Sequence, residues 1–281
     1  MAKSIKVDDY TDDLIAAALA EDIGTGDVTT NATIHKGQLG RAELSAKESF
    51  VVCGLPIAEK VFKAVDKRLK FKALIKEGRR ATKGTLLARV SGSLRSILTA
   101  ERVALNFFQR LSGIATLTDK FAKKTARTKT RILDTRKTTP CMRILERYAV
   151  TVGGGENHRF GLFDAVLIKD NHIKAAGSIQ EAVVLVRKAH KDKFKVEVET
   201  TTLKQVREAA AANVDIIMLD NMAPMKIKKA VAIVDGIALT EISGGVRLDN
   251  IAKVAGLGAD YISIGALTHS AVAVDISLNI R

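Results

Sequence analysis

The sequence predicts an α/β protein in which a small N-terminal α+β unit precedes an α/β barrel that is short of units. From Arg131 onward, short apolar runs alternate with helical segments, a rhythm that predicts parallel strands joined by right-handed crossovers. This part spans about 150 residues, whereas a complete eight-unit barrel takes about 250. The chain before Leu94 lacks the rhythm and contains strand-like runs separated by glycine turns. Two regions of different architecture are therefore expected.

The N-terminal unit begins with an amphipathic helix whose first turn is acidic, which suits the helix dipole. The next stretch, 21–30, is predicted to be a loop because of its glycines. Its Gly-x-Gly is interpreted as a turn, since no strand precedes it. Pro56 lies near the first turn of a helix that starts after Gly54. The elements predicted here are a helix at 10–21, strands at 39–52, 69–75 and 85–90, and a long helix at 94–123.

The C-terminal region contains apolar runs of strand length that alternate with segments of helical spacing. The strands are predicted at 131–133, 165–168, 195–198, 215–219, 237–239 and 261–264. The helices are predicted at 142–152, 179–189, 203–212, 225–234 and 248–254.

The composition is that of a soluble globular chain. It has 281 residues, 47% hydrophobic and 27% charged, which is enough for a full core and for two domains. No apolar run approaches the roughly 18 residues of a membrane span, and the start MAKSIKVDDYTDD has no apolar signal core. Cys53 and Cys141 have no CxxC spacing, so neither a disulfide framework nor a structural zinc site is indicated. We expect a cytoplasmic protein with reduced thiols.

The net charge of +14 is compatible with two classes of protein. One is a basic nucleic-acid-binding protein, which needs a basic patch and usually stacking aromatics. The other is an enzyme that steers anionic small molecules into a basic cleft. Aromatic residues make up only 4% and there is no Trp, but the charge alone does not choose between the classes.

Polar residues follow each predicted strand of the barrel, where catalytic groups of α/β folds lie. Cations that would converge at this edge are Arg136, Lys137, His158, Arg159 and Lys169, a set suited to a ligand with several negative charges. Any one such cluster could equally be a surface loop, but six polar or glycine-containing endings on one edge favour a site.

The remaining strand ends supply two further kinds of group. Glu199 and Asp220 are carboxylates that could hold ribose hydroxyls or a magnesium ion, or else form salt bridges with nearby cations. The ends at 241–245 and 265–267 resemble a phosphate cradle, in which glycines let backbone N–H groups approach an anion. Arg102 lies in a mostly apolar helix, where it either pairs with Glu101, reaches water, or is offered to a ligand.

Several motifs in one order carry a resemblance to a known family. They are Glu101-Arg102 to Gly113, the segment from Asp134 to Pro140, Gly153 to Arg159, Leu167 to His172, Met218 to Asn221, Ser243-Gly244-Gly245 and Gly265 to Ser270. Together with the Glu-Asp-Ile-Gly-Thr-Gly-Asp loop near the start, they resemble quinolinate phosphoribosyltransferase, and the resemblance covers nearly the whole chain.

The resemblance implies a magnesium-dependent pentosyltransferase of NAD biosynthesis. Quinolinate and phosphoribosyl pyrophosphate become nicotinate mononucleotide, pyrophosphate and carbon dioxide. It implies an N-terminal open sandwich at 1–107, rejoined by 270–281, and an incomplete barrel at 108–269 that carries the active site. It also implies a cytoplasmic homodimer, or a hexamer of dimers, that uses neither nucleic acid nor membrane.

The resemblance also implies roles for individual residues. The catalytic residues would be Lys137, Lys169, Glu199 and Asp220. Quinolinate's carboxylates would be bound by Arg136, His158, Arg159 and Lys169, with Lys137 nearby and Arg102 contributed by the partner subunit. Thr135 would also bind substrate. Glu199 and Asp220 would face the ribose and a Mg²⁺ ion that is held mainly by the pyrophosphate. The phosphate would be held by Ser243, Gly244, Gly245, Ile264, Gly265 and Ala266.

Two positions depart from the family pattern. Cys141 stands where Gly is common, and Thr201 where an acidic residue is frequent, so the loop geometry at these places is open. The alternatives are a paralogous phosphoribosyltransferase-like protein of molybdate transport operons, with another substrate, and, more remotely, the nucleic-acid-binding protein.

Overall fold

The computed structural model describes residues 9–281; the predicted lack of an apolar signal core in MAKSIKVDDYTDD falls largely on residues outside this range. Within it, the strands are β1 (Leu39–Ala46), β2 (Phe50–Val51), β3 (Lys70–Ala73), β4 (Arg80–Ala81), β5 (Leu86–Ser93), β6 (Arg131–Leu133), β7 (Val166–Ile168), β8 (Val196–Thr200), β9 (Ile216–Asp220), β10 (Leu239–Ser243), β11 (Tyr261–Ser263) and β12 (Ile276–Ile280). The helices are α1 (Asp9–Ile23), α2 (Val28–Thr33), α3 (Leu55–Val65), α4 (Leu94–Thr125), α5 (Arg143–Val152), α6 (Asp170–Ala176), α7 (Ile179–His190), α8 (Leu203–Ala211), α9 (Pro224–Val234), α10 (Ile251–Ala255) and α11 (Ala266–His269).

The chain forms two compact units. The first takes in the chain up to Asp119, together with Pro140–Gly154 and Ala271–Arg281, and the second comprises Lys120–Thr139 and Gly155–Ser270. The boundary expected near residue 107 lies inside α4, since this long helix continues through the change of unit. No helix within residues 9–281 is both long and apolar enough to cross a membrane.

The first unit is built on an antiparallel sheet with the strand order β12-β1-β5-β3, beside the small pair β2-β4. The segment expected to rejoin the N-terminal region carries β12, which pairs with β1. Helix α5 was predicted as a barrel crossover but belongs to this unit. There the carboxylate of Glu77 accepts hydrogen bonds from the N–H groups of Gly54 and Leu55 at the start of α3, and from the Tyr148 hydroxyl of α5.

An ion pair fixes α5 to α4 within the first unit. The guanidinium of Arg110 donates to Glu146, with 2.9 Å between Nη2 and Oε1, and the Glu146 side chain is fully buried. We expect Arg110→Ala to lower the free energy of unfolding by about 3 kcal/mol, because a buried carboxylate loses its cation. Urea denaturation measures this change. Arg247→Ala is the control, since both members of its ion pair with Asp249 are exposed and the loss of this pair should leave stability unchanged. Equal stability of the two variants would contradict the prediction.

The second unit is the predicted incomplete barrel, a sheet of six parallel strands in the order β6-β11-β10-β9-β8-β7. The fold class predicted from the sequence is confirmed. Successive residues of each strand face opposite sides of the sheet. One set consists of buried aliphatic side chains such as Val198, Ile217 and Ile242. The other set consists largely of polar residues.

Three sequence predictions of elements were wrong. The loop at 21–30 ends in α2, because Asp27 caps this helix by accepting a 2.9 Å hydrogen bond from the Thr30 N–H. The strand predicted at 39–52 is interrupted between β1 and β2. The strand predicted at 237–239 is instead β10, Leu239–Ser243, because the charged Glu241 lies inside the strand rather than after it. Helices α6 and α11, and strands β4 and β12, were not predicted.

Cys141 adopts a left-handed backbone conformation with φ of +62°. A side chain at such a φ costs about 1 kcal/mol relative to glycine, so the conformation explains why Gly suits this position. One contact that fixes the loop is the hydrogen bond from the Tyr10 hydroxyl to the Cys141 carbonyl, at 3.0 Å.

Candidate active site

The carboxyl ends of the barrel strands surround a cavity of about 360 Å³. It is lined by Thr135, Arg136, Lys137, His158, Arg159, Leu167, Lys169, Glu199, Met218, Asp220, Asn221, Glu241, Ser243 and Ser263. Along each strand, the residues in this set occupy alternate positions. Across the strands they lie side by side: Glu199 on β8 and Glu241 on β10 both pair with Met218 on β9. Because each strand is fixed by its neighbours, these side chains are presented to the cavity in defined rows.

One side of the cavity is cationic. Burial, followed by repulsion from the neighbouring Arg136, lowers the pKa of the Arg159 guanidinium. Its Nε is buried and has no hydrogen-bond partner, while Nη1 donates to the Ala165 carbonyl at 3.1 Å. Two guanidinium groups close enough to repel each other form a site that an anion would stabilise. Lys169 adds a third cation, 3.1 Å from Glu199.

His158 lies at the inner end of this cationic side and is turned toward two buried carboxylates. Its Nε2 is 3.1 Å from Glu197 Oε2 and 3.6 Å from Glu241 Oε2. Its Nδ1 accepts a hydrogen bond from the backbone N–H of Arg159. The backbone N–H of His158 donates to the carboxylate of Asp134. Although burial opposes protonation, the carboxylates of Glu197 and Glu241 raise the pKa of His158. In this arrangement both ring nitrogens contact protein groups, so the imidazole is oriented by the protein.

Glu197 and Glu241 are site residues that the sequence interpretation missed. Glu197 is 4% exposed and Glu241 is fully buried. Burial, with the charge of Glu197 as the second cause, raises the pKa of Glu241 to about 8. Each lies two residues before a predicted site residue on the same strand, Glu199 and Ser243 respectively. The period of two along a strand was therefore the available signal.

Glu199 and Asp220, near the ends of β8 and β9, form an acidic part of the cavity. Glu199 contacts Lys169, and Asp220 accepts a 3.0 Å hydrogen bond from the side-chain amide of Asn221. Both retain carboxylate oxygens toward the cavity, and hard cations such as Mg²⁺ prefer oxygen ligands. These residues therefore fit a divalent cation that is shared with an anionic ligand.

Glycines line the neighbouring strand ends. Gly244 and Gly245 have φ values of +90° and +63°, and a Cβ on Gly244 would lie 2.1 Å from Asn221 Oδ1. A Cβ on Gly265 would lie 3.0 Å from the Lys137 Cδ. The Thr268 hydroxyl donates to the Lys137 carbonyl at 2.9 Å, which fixes this loop beside α11. Side chains are thus disfavoured at Gly244 by contact and by its φ, and at Gly245 by its φ, where backbone N–H groups could approach a phosphate.

The structure places most of the predicted residues around one cavity. Those that line it are Thr135, Arg136, Lys137, His158, Arg159, Lys169, Glu199, Asp220 and Ser243. Gly244, Gly245 and Gly265 lie beside its walls, Ala266 begins α11, and Ile264 is 2% exposed, so its contribution is limited to its backbone. Arg102 lies on α4 in the first unit and is exposed.

A second cavity, of about 430 Å³, lies at the other ends of the strands and has paired polar groups. Lys129 is 2.8 Å from Asp260, which also accepts hydrogen bonds from Thr240. Asp215 accepts from the Val196 N–H at 2.7 Å. Because these charges satisfy one another, the cavity offers little to a charged ligand.

Comparison with known proteins identifies relatives over the whole chain. Residues 27–112 match the family model of the quinolinate phosphoribosyl transferase N-terminal domain, and residues 114–279 match that of its C-terminal domain. A probable nicotinate-nucleotide pyrophosphorylase [carboxylating] of Synechocystis is 45% identical over 93% of this chain and 90% of its own length. The chloroplastic nicotinate-nucleotide pyrophosphorylase [carboxylating] of Arabidopsis thaliana is 46% identical over 95% of this chain and 82% of its own.

Solved structures give the same result. The crystal structure of NadC from Streptococcus pyogenes is 43% identical and superimposes with a TM-score of 0.95, covering 99% of both chains. The nicotinate-nucleotide pyrophosphorylase of Francisella tularensis is 41% identical with a TM-score of 0.94, covering 100% of this chain and 98% of its own.

Proposed function

Because the chain belongs to the quinolinate phosphoribosyltransferase family, we propose that it converts quinolinate and phosphoribosyl pyrophosphate into nicotinate mononucleotide, pyrophosphate and carbon dioxide. This decarboxylating pentosyl transfer is a step of NAD biosynthesis. The observation that carries the proposal is the cavity of the second unit, which is lined by the cations Arg136, Arg159 and Lys169 together with the carboxylates Glu199 and Asp220. The cations suit quinolinate, a flat dianion, and the carboxylates suit the ribose of phosphoribosyl pyrophosphate.

The cationic side suits the two carboxylates of quinolinate. Arginine binds a planar carboxylate with two parallel hydrogen bonds, whereas lysine acts as a point charge. The buried Nε of Arg159, which has no partner in the protein, is a donor for such a ligand. Bound quinolinate would also relieve the repulsion between Arg136 and Arg159.

The acidic part of the cavity, Glu199 and Asp220, suits the sugar donor. As the bond from the ribose C1 to pyrophosphate breaks, positive charge develops on C1, and Glu199 and Asp220 would stabilise it. The pyridine nitrogen forms the new bond to C1 and becomes positively charged. The adjacent carboxylate then leaves as carbon dioxide. Ser243 and the glycines at 244, 245 and 265 would hold the phosphate, while Lys137 neutralises charge nearby.

We propose that the reaction requires Mg²⁺, which would bind mainly through the pyrophosphate of the substrate and through Glu199 and Asp220. The support is the donor set, since two carboxylates next to a polyphosphate site suit a hard divalent cation. When bound, the ion neutralises charge on the leaving pyrophosphate. Activity lost with EDTA and restored by Mg²⁺ would agree with this requirement, and full activity in EDTA would exclude it.

The direct test is formation of nicotinate mononucleotide by the purified protein from quinolinate, phosphoribosyl pyrophosphate and Mg²⁺. Product without activity on other aromatic acids would exclude the molybdate-operon paralogue. No turnover together with salt-dependent binding to generic DNA would instead favour the nucleic-acid-binding alternative.

The free thiols of Cys53 and Cys141 support our proposal of a reducing, cytoplasmic location.

We also propose that the working unit is a homodimer in which Arg102 serves the partner's site. Arg102 is exposed on α4, despite its apolar surroundings in the sequence. In the second unit, Leu162 and Phe163 are 74% and 72% exposed, and exposed apolar side chains of this size are typical of interfaces. A hexamer of such dimers is the larger assembly to be distinguished by light scattering.

Mixed dimers test the sharing of Arg102. Arg102→Ala and Lys169→Ala subunits should each be inactive alone. After they are mixed one to one and exchanged, about a quarter of wild-type activity should appear, because half of the dimers then contain one intact site. Two variants of the same subunit site, Arg136→Ala and Lys169→Ala, form the matched control and should not recover. Recovery in the control, or none in the test pair, would contradict a shared site.

A further inference from the structure

The buried end of the cavity contains an acid for which the reaction as described has no use. Both carboxyl oxygens of Glu241 and Oε1 of Glu197 are buried without a hydrogen-bond partner. Glu241 nevertheless lines the cavity. A fully buried carboxyl group that lies beside a second carboxylate is costly in its ionised form, so it is expected to hold a proton.

The surroundings of Glu241 favour the protonated form. On β8, Glu197 contributes a negative charge, and on β9 the paired residue is the uncharged Met218. On β11, the nearby Ser263 hydroxyl acts in the other direction and lowers the pKa of Glu241, and Tyr261 is the paired residue. His158, in the segment before β7, is the cation within reach, at 3.6 Å; it is in turn held by Glu197 and by the Arg159 N–H and is near Asp134. With a pKa of about 8, Glu241 carries a proton at neutral pH.

The chemistry of the second half-reaction requires such a proton. When the bond between the ring carbon and its carboxylate breaks, carbon dioxide leaves and the electron pair stays on the ring carbon. The adjacent positively charged ring nitrogen stabilises that pair. The carbon must then accept one proton to give nicotinate mononucleotide, so each turnover consumes a proton at a position inside the cavity.

We propose that Glu241 is the general acid that protonates this ring carbon, an inference that rests on the proposed function. Glu241 lies level with Met218 and Glu199 on the neighbouring strands. Asp220 and Ser243 lie two residues nearer the carboxyl ends of β9 and β10. Two residues along a strand correspond to roughly 7 Å, so Glu241 faces the cavity beneath the groups that hold the ribose. The ring carbon that loses carbon dioxide is next to the nitrogen bonded to that ribose, and therefore lies at the same end of the ligand.

The other acidic groups of the cavity are less suited to the step. Lys169 is bound to Glu199, and its charge is needed for the substrate's carboxylates. Glu199 and Asp220 must remain ionised to stabilise the ribose. In giving up its proton, Glu241 becomes a carboxylate next to His158, and it regains a proton from water when the products leave. His158 and Glu197 are thus positioning residues for this acid.

The test is the pH dependence of product formation in a single turnover, which is free of product release. For the wild-type enzyme, the rate should fall about tenfold per pH unit above about pH 8, because the carboxylate cannot donate. Glu241→Gln keeps the shape but has no acidic proton. Its rate at pH 7 should be about a hundredfold lower, the descending limb should be absent, and the KM for quinolinate should change little.

A second variant separates acid catalysis from a structural role. Glu197→Gln removes the negative neighbour, which lowers the pKa of Glu241, so the descending limb should move to lower pH. Glu156→Gln, an exposed carboxylate beside Arg131, is the matched control and should retain the wild-type profile. A limb that persists in Glu241→Gln, or stays in place in Glu197→Gln, overturns the inference even if the first variant folds poorly. A wild-type protein that forms no nicotinate mononucleotide would instead overturn the proposed function.

Discussion

Replacing Arg136 or Lys169 by alanine is expected to reduce turnover by about a thousandfold while the protein keeps its fold and assembly. Both side chains line the cavity from strand ends, so neither is needed for the core. Arg136 lies close enough to Arg159 to lower its pKa by repulsion, which places two cations where quinolinate's carboxylates would bind. Loss of one cation should raise the KM for quinolinate and lower kcat together, because the ring would no longer be held against the ribose.

Steady-state assays of nicotinate mononucleotide formation measure this effect. Arg136→Lys keeps the charge but loses the two-pronged donor, so its activity should lie between those of the wild type and the alanine variant. Lys204→Ala removes an exposed lysine that pairs with Glu208 on α8, outside the cavity, and should leave activity unchanged. Full activity of Arg136→Ala or Lys169→Ala would remove that residue from the catalytic set.

Neutralising Glu199 or Asp220 should impair the sugar side of the site by a similar factor. We expect Glu199→Gln and Asp220→Asn each to lower kcat by about a hundredfold to a thousandfold, because the positive charge that develops on the ribose C1 loses a carboxylate. Glu199→Gln has a second consequence, since Lys169 lies 3.1 Å from Glu199 and would lose its partner. Its effect should therefore include a change in the KM for quinolinate, whereas Asp220→Asn should affect mainly the sugar donor.

The measurement is the rate of pyrophosphate release, with the concentration of each substrate varied in turn. Glu208→Gln neutralises an exposed carboxylate on α8 and serves as the matched control. If both amide variants released pyrophosphate at the wild-type rate, the carboxylates of Glu199 and Asp220 would have no part in ribosyl transfer. The role proposed for these two residues would then have to be revised.

The alternation of strands and helices was readable from the sequence because it depends on local spacing of apolar residues. The runs at 131–133 and 261–264 correspond closely to β6 and β11. The prediction was wrong at β10, because Leu239–Ser243 contains a charged residue that local patterns assign to a loop. Its environment is a polar cavity formed by other strands, which changes the cost of placing a carboxyl group there. That information is not present in any short stretch of the chain.

The candidate site divides in the same manner. Cations at strand ends could be selected from the sequence, since the carboxyl ends of parallel strands share one edge. Glu197 and Glu241 were not selected, although each lies two residues before a selected residue on its strand, because local sequence does not show that the two are buried together. Their proximity to His158, at 3.1 and 3.6 Å, depends on three segments that are far apart along the chain.

By itself, the sequence determined the fold class, the cationic character of the site and its carboxylates Glu199 and Asp220. These follow from side-chain chemistry and from the periods of strands and helices, which are local properties. Only the tertiary structure decided which of these groups are buried, which cations repel each other, and that Glu241 lies beside the ligand cavity, where burial raises its pKa. Burial and electrostatic coupling arise between residues from different strands, and their strength depends on distances that the order of residues does not specify.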